Sequence, residues 1–282
     1  MAKKKNVKHK ELKIFPPPNK GPKVLLFDIE TIPLLGYFWS IWQQNVALNQ
    51  IEMDWSIVSW SAKWLDDAPN KTMYMDQRNA PKLEDDKVLL QHIWNLLDKA
   101  DIVIAQNGKN FDHKKLNARF ILNGMQPPST YKIIDTMLLA KKHFAFTSNK
   151  LEYLSDKLCT KFKKLKHQKF PGFELWQQCM KGNLEAFKEM EKYNKHDVLA
   201  LEELYKKLIP WENSINFNTY SDDLENTCKC GSTEFYKNGF YITQVGRYQK
   251  HKCKHCGAES RDRENLLSDE KRESLKVGTT RT

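Results

Sequence analysis

A short apolar run that leads directly into two acidic residues constrains this chain more than any other feature. Residues 24–27 (VLLF) are all apolar, and such a run predicts a strand buried on both faces of a sheet. Asp28 and Glu30 follow, and side chains at positions i and i+2 of a strand point to the same side. Two neighbouring carboxylates repel each other unless a proton or a cation lies between them. The pair therefore indicates a divalent-metal site, although a solvated strand end fits the same pattern.

The remaining periodicity adds helices to strands. Strands come first and then alternate with helices, which predicts an α/β domain with a mixed sheet. Residues 33–54 are rich in aromatic residues and have no clear period. The predicted strands cover 24–27, 57–64, 73–76, 102–105 and 133–134, and the predicted helices cover 82–98, 112–123, 135–142, 150–158 and 184–208.

Two further acidic residues lie in predicted helices, one at a helix start and one in a helix interior. Asp112 follows a Gly-containing turn and opens a predicted helix, where an acid also serves as an ordinary cap. Asp197 lies inside the last predicted helix, one turn after Tyr193, so the two side chains share a face. Asp is unfavourable in a helix interior, which favours a role for it. Each of these signals is weak alone, and only their order along the chain is informative.

That order resembles the DEDD exonucleases, which are proofreading-type 3′–5′ nucleases with a ribonuclease-H-like fold. The segments that carry the resemblance extend over roughly 24–209, and they are DIET at 28–31, NGKNFD at 107–112, IDT at 135–137, KLEYLSDKL at 150–158 and YNKHD at 193–197. The subclass with a Tyr four residues before the last Asp fits best. The other subclass has a His five residues before that Asp, where this chain has Lys192.

The resemblance implies catalysis of phosphodiester hydrolysis by two Mg²⁺ or Mn²⁺ ions. It gives Asp28 the role of bridging both ions, and Glu30 and Asp197 the role of completing the ion that activates water. Asp112 would hold the second ion, and the Tyr193 hydroxyl would orient the attacking water. A phenol with an ordinary pKa near 10 is a poor general base, so the metal is expected to provide most of the activation.

The resemblance also suggests which residues contact the substrate. Thr31 and Asn107 occupy positions that hold the terminal nucleotide in similar exonucleases. The stretch 161–169 contains Lys161, Lys163 and Lys164 and no acid, which favours a loop that binds a nucleic-acid backbone over a solvated surface segment. Asp135 is expected either to support the site or to cap the helix that follows it.

Four of the six cysteines predict a second metal site. Cys228 with Cys230 and Cys253 with Cys256 form two close pairs, each followed by Gly, and no secretory signal accompanies them. Four thiolates suit tetrahedral Zn²⁺, and so small a module needs a metal to fold. The segment resembles a zinc ribbon, although its first pair is spaced C-x-C rather than C-x-x-C. The neighbouring histidines 251 and 255 therefore stay open as substitute ligands.

Charge and hydropathy limit the compartment and the partners. The formal charge is +11, and residues 1–23 carry eight Lys and one Glu. Such an arm attracts phosphate backbones, although a solvated tail fits equally. No run approaches the roughly 20 apolar residues of a membrane span, and the N-terminus lacks the apolar part of a secretory signal. A cytoplasmic protein with no membrane partner is therefore expected.

The full prediction is a 3′–5′ exonuclease acting on 3′ ends of single-stranded DNA. An RNA-end or structure-selective nuclease on the same site is an alternative, and a non-catalytic nucleic-acid-binding protein is another. A replication or repair protein is a further expected partner, and the appended ribbon would suit a phage or a mobile element. The predicted parts are a basic flexible tail (1–23), the exonuclease domain (24–210), a linker (211–227), one structural zinc ribbon (228–260) and a disordered tail (261–282).

Overall fold

The computed structural model describes residues 21–42, 45–163, 165 and 169–279. Residues 1–20 of the predicted basic tail and Lys164 of the predicted backbone-binding loop lie outside these ranges. The strands are β1 (Val24–Thr31), β2 (Leu35–Gly36), β3 (Ile51–Met53), β4 (Ile57–Trp64), β5 (Met73–Asp76), β6 (Ile102–Ala105), β7 (Lys132–Asp135), β8 (Phe235–Thr243), β9 (Gly246–Cys253) and β10 (Glu259–Arg261). The α-helices are α1 (Lys87–Leu97), α2 (Asp112–Leu122), α3 (Thr136–His143), α4 (Leu151–Leu158), α5 (Glu174–Met180), α6 (Leu184–Leu208) and α7 (Asp269–Ser274).

A five-stranded mixed sheet organises the larger part of the chain, with the order β5-β4-β1-β6-β7. β4 pairs antiparallel with both β5 and β1, whereas β6 pairs parallel with both β1 and β7. The predicted α/β class with a mixed sheet is confirmed. β1 occupies the centre of this sheet, so any side chain at its end is positioned by strands on both sides.

Helices cover both faces of the sheet, as the apolar pattern of β1 requires. Leu25 and Phe27 pack in one core cluster with α1 and α2, while Val24 and Leu26 pack in a second cluster with α6. Because side chains alternate along a strand, Asp28 and Glu30 continue the Val24–Leu26 series and face α6. The sheet therefore turns both acids towards the longest helix of the described chain.

Several elements begin and end where the sequence predicts. The bounds of β4, β5, β6 and α6 agree with the predicted segments, whereas α1 begins at Lys87 instead of residue 82. The carboxylate of Asp86 accepts the Ile57 N–H at 2.9 Å and pairs with Arg119 at 2.8 Å. These contacts anchor the chain just before α1, so the helix starts only after them.

A separate three-stranded antiparallel sheet, β10-β9-β8, holds the cysteine segment; we call it the C-terminal sheet. Beyond it, the tail that the sequence predicts to be disordered contains the short helix α7, whose N-terminus is capped by the Ser268 hydroxyl accepting the Lys271 N–H. None of the helices in the described ranges combines the length and the apolar character that a membrane span needs.

Candidate metal-dependent active site

Three of the four predicted acids meet between the end of β1 and the middle of α6. One carboxylate oxygen from each of Asp28, Glu30 and Asp197 lies within 4.8 Å of the others. Asp197 is buried and the other two are half-buried, so this negative charge is concentrated where water screens it poorly. Carboxylate oxygens at this spacing form the donor set that Mg²⁺ and Mn²⁺ prefer. The residues present therefore fit a divalent ion.

The fourth acid, Asp112, contacts the backbone of β1. The pairing of β6 with β1 ends at Leu26, and beyond that point the Asp112 carboxylate accepts the N–H of Ile29 at 3.2 Å. Burial raises the pKa of Asp112 to about 7; backbone N–H groups oppose that shift, and the negative charge of Asp135 adds to it. Asp112 lies outside the three-acid group, but its carboxylate is hydrogen-bonded to the backbone N–H of Ile29, between Asp28 and Glu30.

Asp135 fixes the turn that precedes Asp112. Its Oδ1 accepts the backbone N–H of Asn107 at 3.1 Å and its Oδ2 accepts that of Lys109 at 3.1 Å. The same carboxylate caps α3 by accepting the N–H groups of Met137 and Leu138. The buried Asp135 side chain thus caps α3, as one of its two predicted roles requires, and it also holds the turn that leads to Asp112. Asn107 itself has a positive φ of 61°, which is uncommon for a residue with a side chain, and Asp135 holds that conformation.

Tyr193 lies one helical turn before Asp197 on α6, as the sequence predicts. The ring is almost fully buried and meets Trp176 of α5 edge-on, with 6.4 Å between the ring centroids. It packs in a core cluster that includes Ile32, which follows directly after β1. This packing fixes the ring beside the strand end that carries the acid pair.

Sequence reasoning missed the residue that holds Asp28. The Asn194 amide donates from Nδ2 to Oδ2 of Asp28 at 2.6 Å, and the Ser59 hydroxyl of β4 donates to Oδ1 of Asn194 at 3.4 Å. Asn194 and Ser59 are fully buried. The only hint in the sequence is an Asn in the interior of a long helix, where its propensity is poor.

The predicted substrate contacts Thr31, Lys161 and Lys163 lie on separate segments of the chain. Thr31 ends β1 at a register shift that follows Glu30 directly. Lys161 is exposed, and its backbone N–H donates to the Glu203 carboxylate of α6, which anchors the start of the predicted basic loop. The Lys163 ammonium is exposed and pairs with Asp156 at 3.2 Å. Glu203 was not among the predicted residues, since it acts across 42 residues of sequence.

The four predicted zinc ligands also come together. The Sγ atoms of Cys228, Cys230, Cys253 and Cys256 lie within 4.8 Å of one another, including 3.5 Å between Cys228 and Cys256 and 3.7 Å between Cys230 and Cys253. A tetrahedron with Zn–S bonds of about 2.3 Å has S–S edges of about 3.8 Å. The thiols therefore fit one zinc ion, and His251 instead pairs with Asp262 at 2.9 Å.

The cysteine cluster packs against the larger part of the chain. Cys230 and Cys256 contact the core cluster that contains Tyr205 and Ile209 at the end of α6. Between the two cysteines of the first pair, the Lys229 ammonium forms an ion pair with the buried carboxylate of Glu212 and donates to its backbone carbonyl at 2.6 Å. These contacts join the cluster to the helix that also carries Asp197.

The family model RNase_H_2, described as RNase_H superfamily, matches residues 25–209, which include all four acids and Tyr193. The chain belongs to the RNase H superfamily. No curated protein matches the sequence. Among solved structures, the chain is similar to the family B DNA polymerase from the hyperthermophilic archaeon Pyrobaculum calidifontis, with 13% identity and a TM-score of 0.46. That alignment covers 83% of this chain and 32% of the polymerase, so the chain spans about a third of the polymerase's length.

Proposed function

We propose that this protein is a divalent-metal-dependent 3′–5′ exonuclease that hydrolyses phosphodiester bonds at the 3′ ends of single-stranded DNA. At the general level, membership of the RNase H superfamily supports a nuclease that processes nucleic acid. The observation that carries the finer proposal is the meeting of Asp28, Glu30 and Asp197 within 4.8 Å, one helical turn from Tyr193. The 3′–5′ direction and the Tyr-containing subclass rest on the order of the motifs along the chain.

Each side chain has a role in this proposal. Asp28, Glu30 and Asp197 would hold the metal, which when bound supplies charge neutralisation and a more acidic coordinated water. One oxygen of Asp112 accepts the Ile29 N–H, and the other is proposed as a ligand of a second ion. The Tyr193 hydroxyl would orient the attacking water.

The substrate would approach along polar and cationic groups near these acids. Thr31 and Asn107 are proposed to hold the terminal nucleotide, and Lys161, Lys163 and Lys164 are proposed to contact the backbone of the strand. Lys163 would have to exchange its exposed pairing with Asp156 for a phosphate, which costs little because exposed ion pairs are weak.

The four cysteines are proposed to hold one structural Zn²⁺. A module with so few buried apolar residues gains folding free energy from the metal. We also propose the domain divisions at residues 210 and 228. The Lys229–Glu212 ion pair links the cysteine module to the segment that precedes it.

Mutation of the acids tests the proposal directly. A 5′-labelled single-stranded oligodeoxynucleotide is incubated with the wild-type protein and Mg²⁺ or Mn²⁺, and the products are separated by length. Asp28→Ala and Asp197→Asn are expected to abolish shortening of the strand. Asp67→Asn, at the turn after β4, is the control and is expected to keep wild-type activity. If the two site variants degrade the strand as fast as wild type, the proposed active site is wrong.

RNA is the second arm of the same experiment, because the acids contact the phosphate and do not distinguish the sugar. A preference for RNA would keep the site and change the substrate. Binding without hydrolysis by the wild-type protein under all metal conditions would favour a non-catalytic nucleic-acid-binding protein instead.

A further inference from the structure

The C-terminal sheet has one face that combines aromatic and cationic side chains. Residues directly opposite each other on antiparallel strands lie on the same face, and so do residues two apart on one strand. Tyr241 lies opposite Tyr248, Lys250 lies opposite Arg261, and Lys252 lies opposite Tyr236. We call this surface the tyrosine face, and its aromatic and cationic members are Tyr236, Tyr241, Tyr248, Lys250, Lys252 and Arg261.

A bulge in β8 brings the two outer tyrosines to the same side. Tyr236 and Tyr241 are five residues apart, so they would point to opposite faces of a regular strand. The register between β8 and β9 shifts between Lys237 and Phe240, where β8 has one residue more than β9. Gly239 in this bulge has a φ of 67°, which suits glycine. The bulge therefore completes the tyrosine face.

The side chains of this face are accessible and stacked. Tyr236 is 45% exposed and Tyr241 is 47% exposed. The Arg261 guanidinium lies 4.1 Å from the ring centroid of Tyr248 and 5.3 Å from that of Tyr241. A guanidinium plane that rests on aromatic rings presents a flat, charged surface on which a further planar group can stack.

The positive charge of the tyrosine face favours an anionic partner. Lys250, Lys252 and Arg261 contribute three positive charges, and Glu259, which lies on the same face and pairs with Lys250 at 3.2 Å, offsets one of them. Lysine is depleted from the cores of protein–protein interfaces, whereas cations beside aromatic rings are typical of surfaces that bind single strands. Base faces are available for stacking only where a strand is unpaired.

We propose that the tyrosine face binds single-stranded nucleic acid through base stacking on Tyr241 and Arg261 and through phosphate contacts of Lys250 and Lys252. The inference deepens the proposed function, because it names a second contact for the strand on the same chain. It rests on the proposed function only in supposing that this contact assists hydrolysis. Binding of a strand to the tyrosine face does not depend on the acids.

The test measures binding without hydrolysis. The full chain carries Asp197→Asn, and the anisotropy of fluorescein-labelled single strands of about 15 nucleotides, as DNA and as RNA, is followed at several salt concentrations. Tyr241→Ala, Tyr236→Ala and Arg261→Gln are compared with Phe240→Ala. Phe240 is a matched control: it neighbours Tyr241 in β8 on the opposite face, is 53% exposed and has the Arg247 guanidinium 5.7 Å from its ring centroid.

Tyr241→Ala is expected to weaken binding about 5-fold to 150-fold, the loss that removal of one stacked base contact produces. It should leave the salt dependence of the binding constant unchanged, because no charge is removed. Arg261→Gln should also weaken binding, because it removes the guanidinium plane on which a base would stack. Phe240→Ala should bind within about twofold of the parent.

The proposal is overturned if Tyr241→Ala, Tyr236→Ala and Arg261→Gln all bind as tightly as the parent, or if Phe240→Ala loses as much as they do. Unfolding midpoints and zinc content equal to those of the parent identify variants with an intact C-terminal sheet. If the wild-type protein proves unable to hydrolyse any strand while the binding differences persist, the proposed function fails and this inference stands.

Discussion

Asn194 provides a sharp test of how the site is held, because its side chain hydrogen-bonds to both Asp28 and Ser59. The Asn194→Ala substitution removes the 2.6 Å hydrogen bond from Nδ2 to the Asp28 carboxylate. A hydrogen bond to a charged group contributes about 1.5–3 kcal/mol, and Asn194 is fully buried, so no water replaces the lost donor easily. Outer-shell partners that orient a metal-binding side chain contribute about 10-fold to 100-fold to metal affinity, so a loss of about that size in the affinity for Mn²⁺ is expected.

The assay is a titration of the metal-free protein with Mn²⁺, in which electron paramagnetic resonance measures the free ion. Val198→Ala is the matched control, because Val198 is a fully buried residue of the same helix that packs in the core cluster instead. Its cavity should lower the free energy of unfolding by about 1–3 kcal/mol and leave Mn²⁺ affinity near that of wild type.

Two results would refute the reasoning about Asn194. One is an Asn194→Ala protein that binds Mn²⁺ within twofold of wild type. The other is an equal loss of affinity in Val198→Ala, which would attribute the effect to general destabilisation. Asn194→Asp offers a further check, since a second carboxylate 2.6 Å from Asp28 would repel it without a bound cation. That variant should be less stable than wild type in the absence of metal and should recover on addition of Mn²⁺.

Three further predictions concern other parts of the molecule. The purified protein should contain one zinc per chain by mass spectrometry, and Cys256→Ser should lose the zinc and lower the unfolding temperature; full stability without zinc would contradict the assignment. Because the pKa of Asp112 is raised from 3.8 to about 7, the folded state holds more protons between these values, and this residue destabilises the metal-free fold progressively as pH rises through them. Asp112→Asn should therefore be the more stable protein at about pH 8 without metal, and equal stability there would contradict the shift. A Cβ on Gly108 would lie 2.4 Å from Cβ of Ala105, so Gly108→Ala should lower the free energy of unfolding in urea by about 1–3 kcal/mol, and an unchanged curve would contradict the packing.

Local sequence patterns predict much of the fold because the relevant signals are short. The apolar runs of β4 and β6 and the 3.6-residue period of α6 are complete within each segment, and their bounds agree with the prediction. The pairing of Asp28 with Glu30 also follows from strand geometry alone. Bringing Asp197 to this pair required the resemblance to a family, because 167 positions separate it from Glu30 in the chain.

Contacts between distant residues explain what the sequence did not predict. The Asn194–Asp28 hydrogen bond spans 166 residues, and nothing next to Asn194 identifies its partner. The short strands β2 and β3 lie in an aromatic-rich stretch without a clear period, and their pairing depends on tertiary contacts. The tyrosine face was hidden because the bulge near Gly239 changes the alternation that a regular strand would have.

The polarity and position of cleavage test the central proposal most directly. A 5′-labelled single-stranded DNA is incubated with the wild-type protein and Mg²⁺, with a free 3′ end, with a blocked 3′ end, or as a closed circle. A 3′–5′ exonuclease shortens the first strand in single-nucleotide steps and leaves the blocked strand and the circle intact. Cleavage inside the circle, or equal degradation of the blocked strand, would contradict the proposed exonuclease.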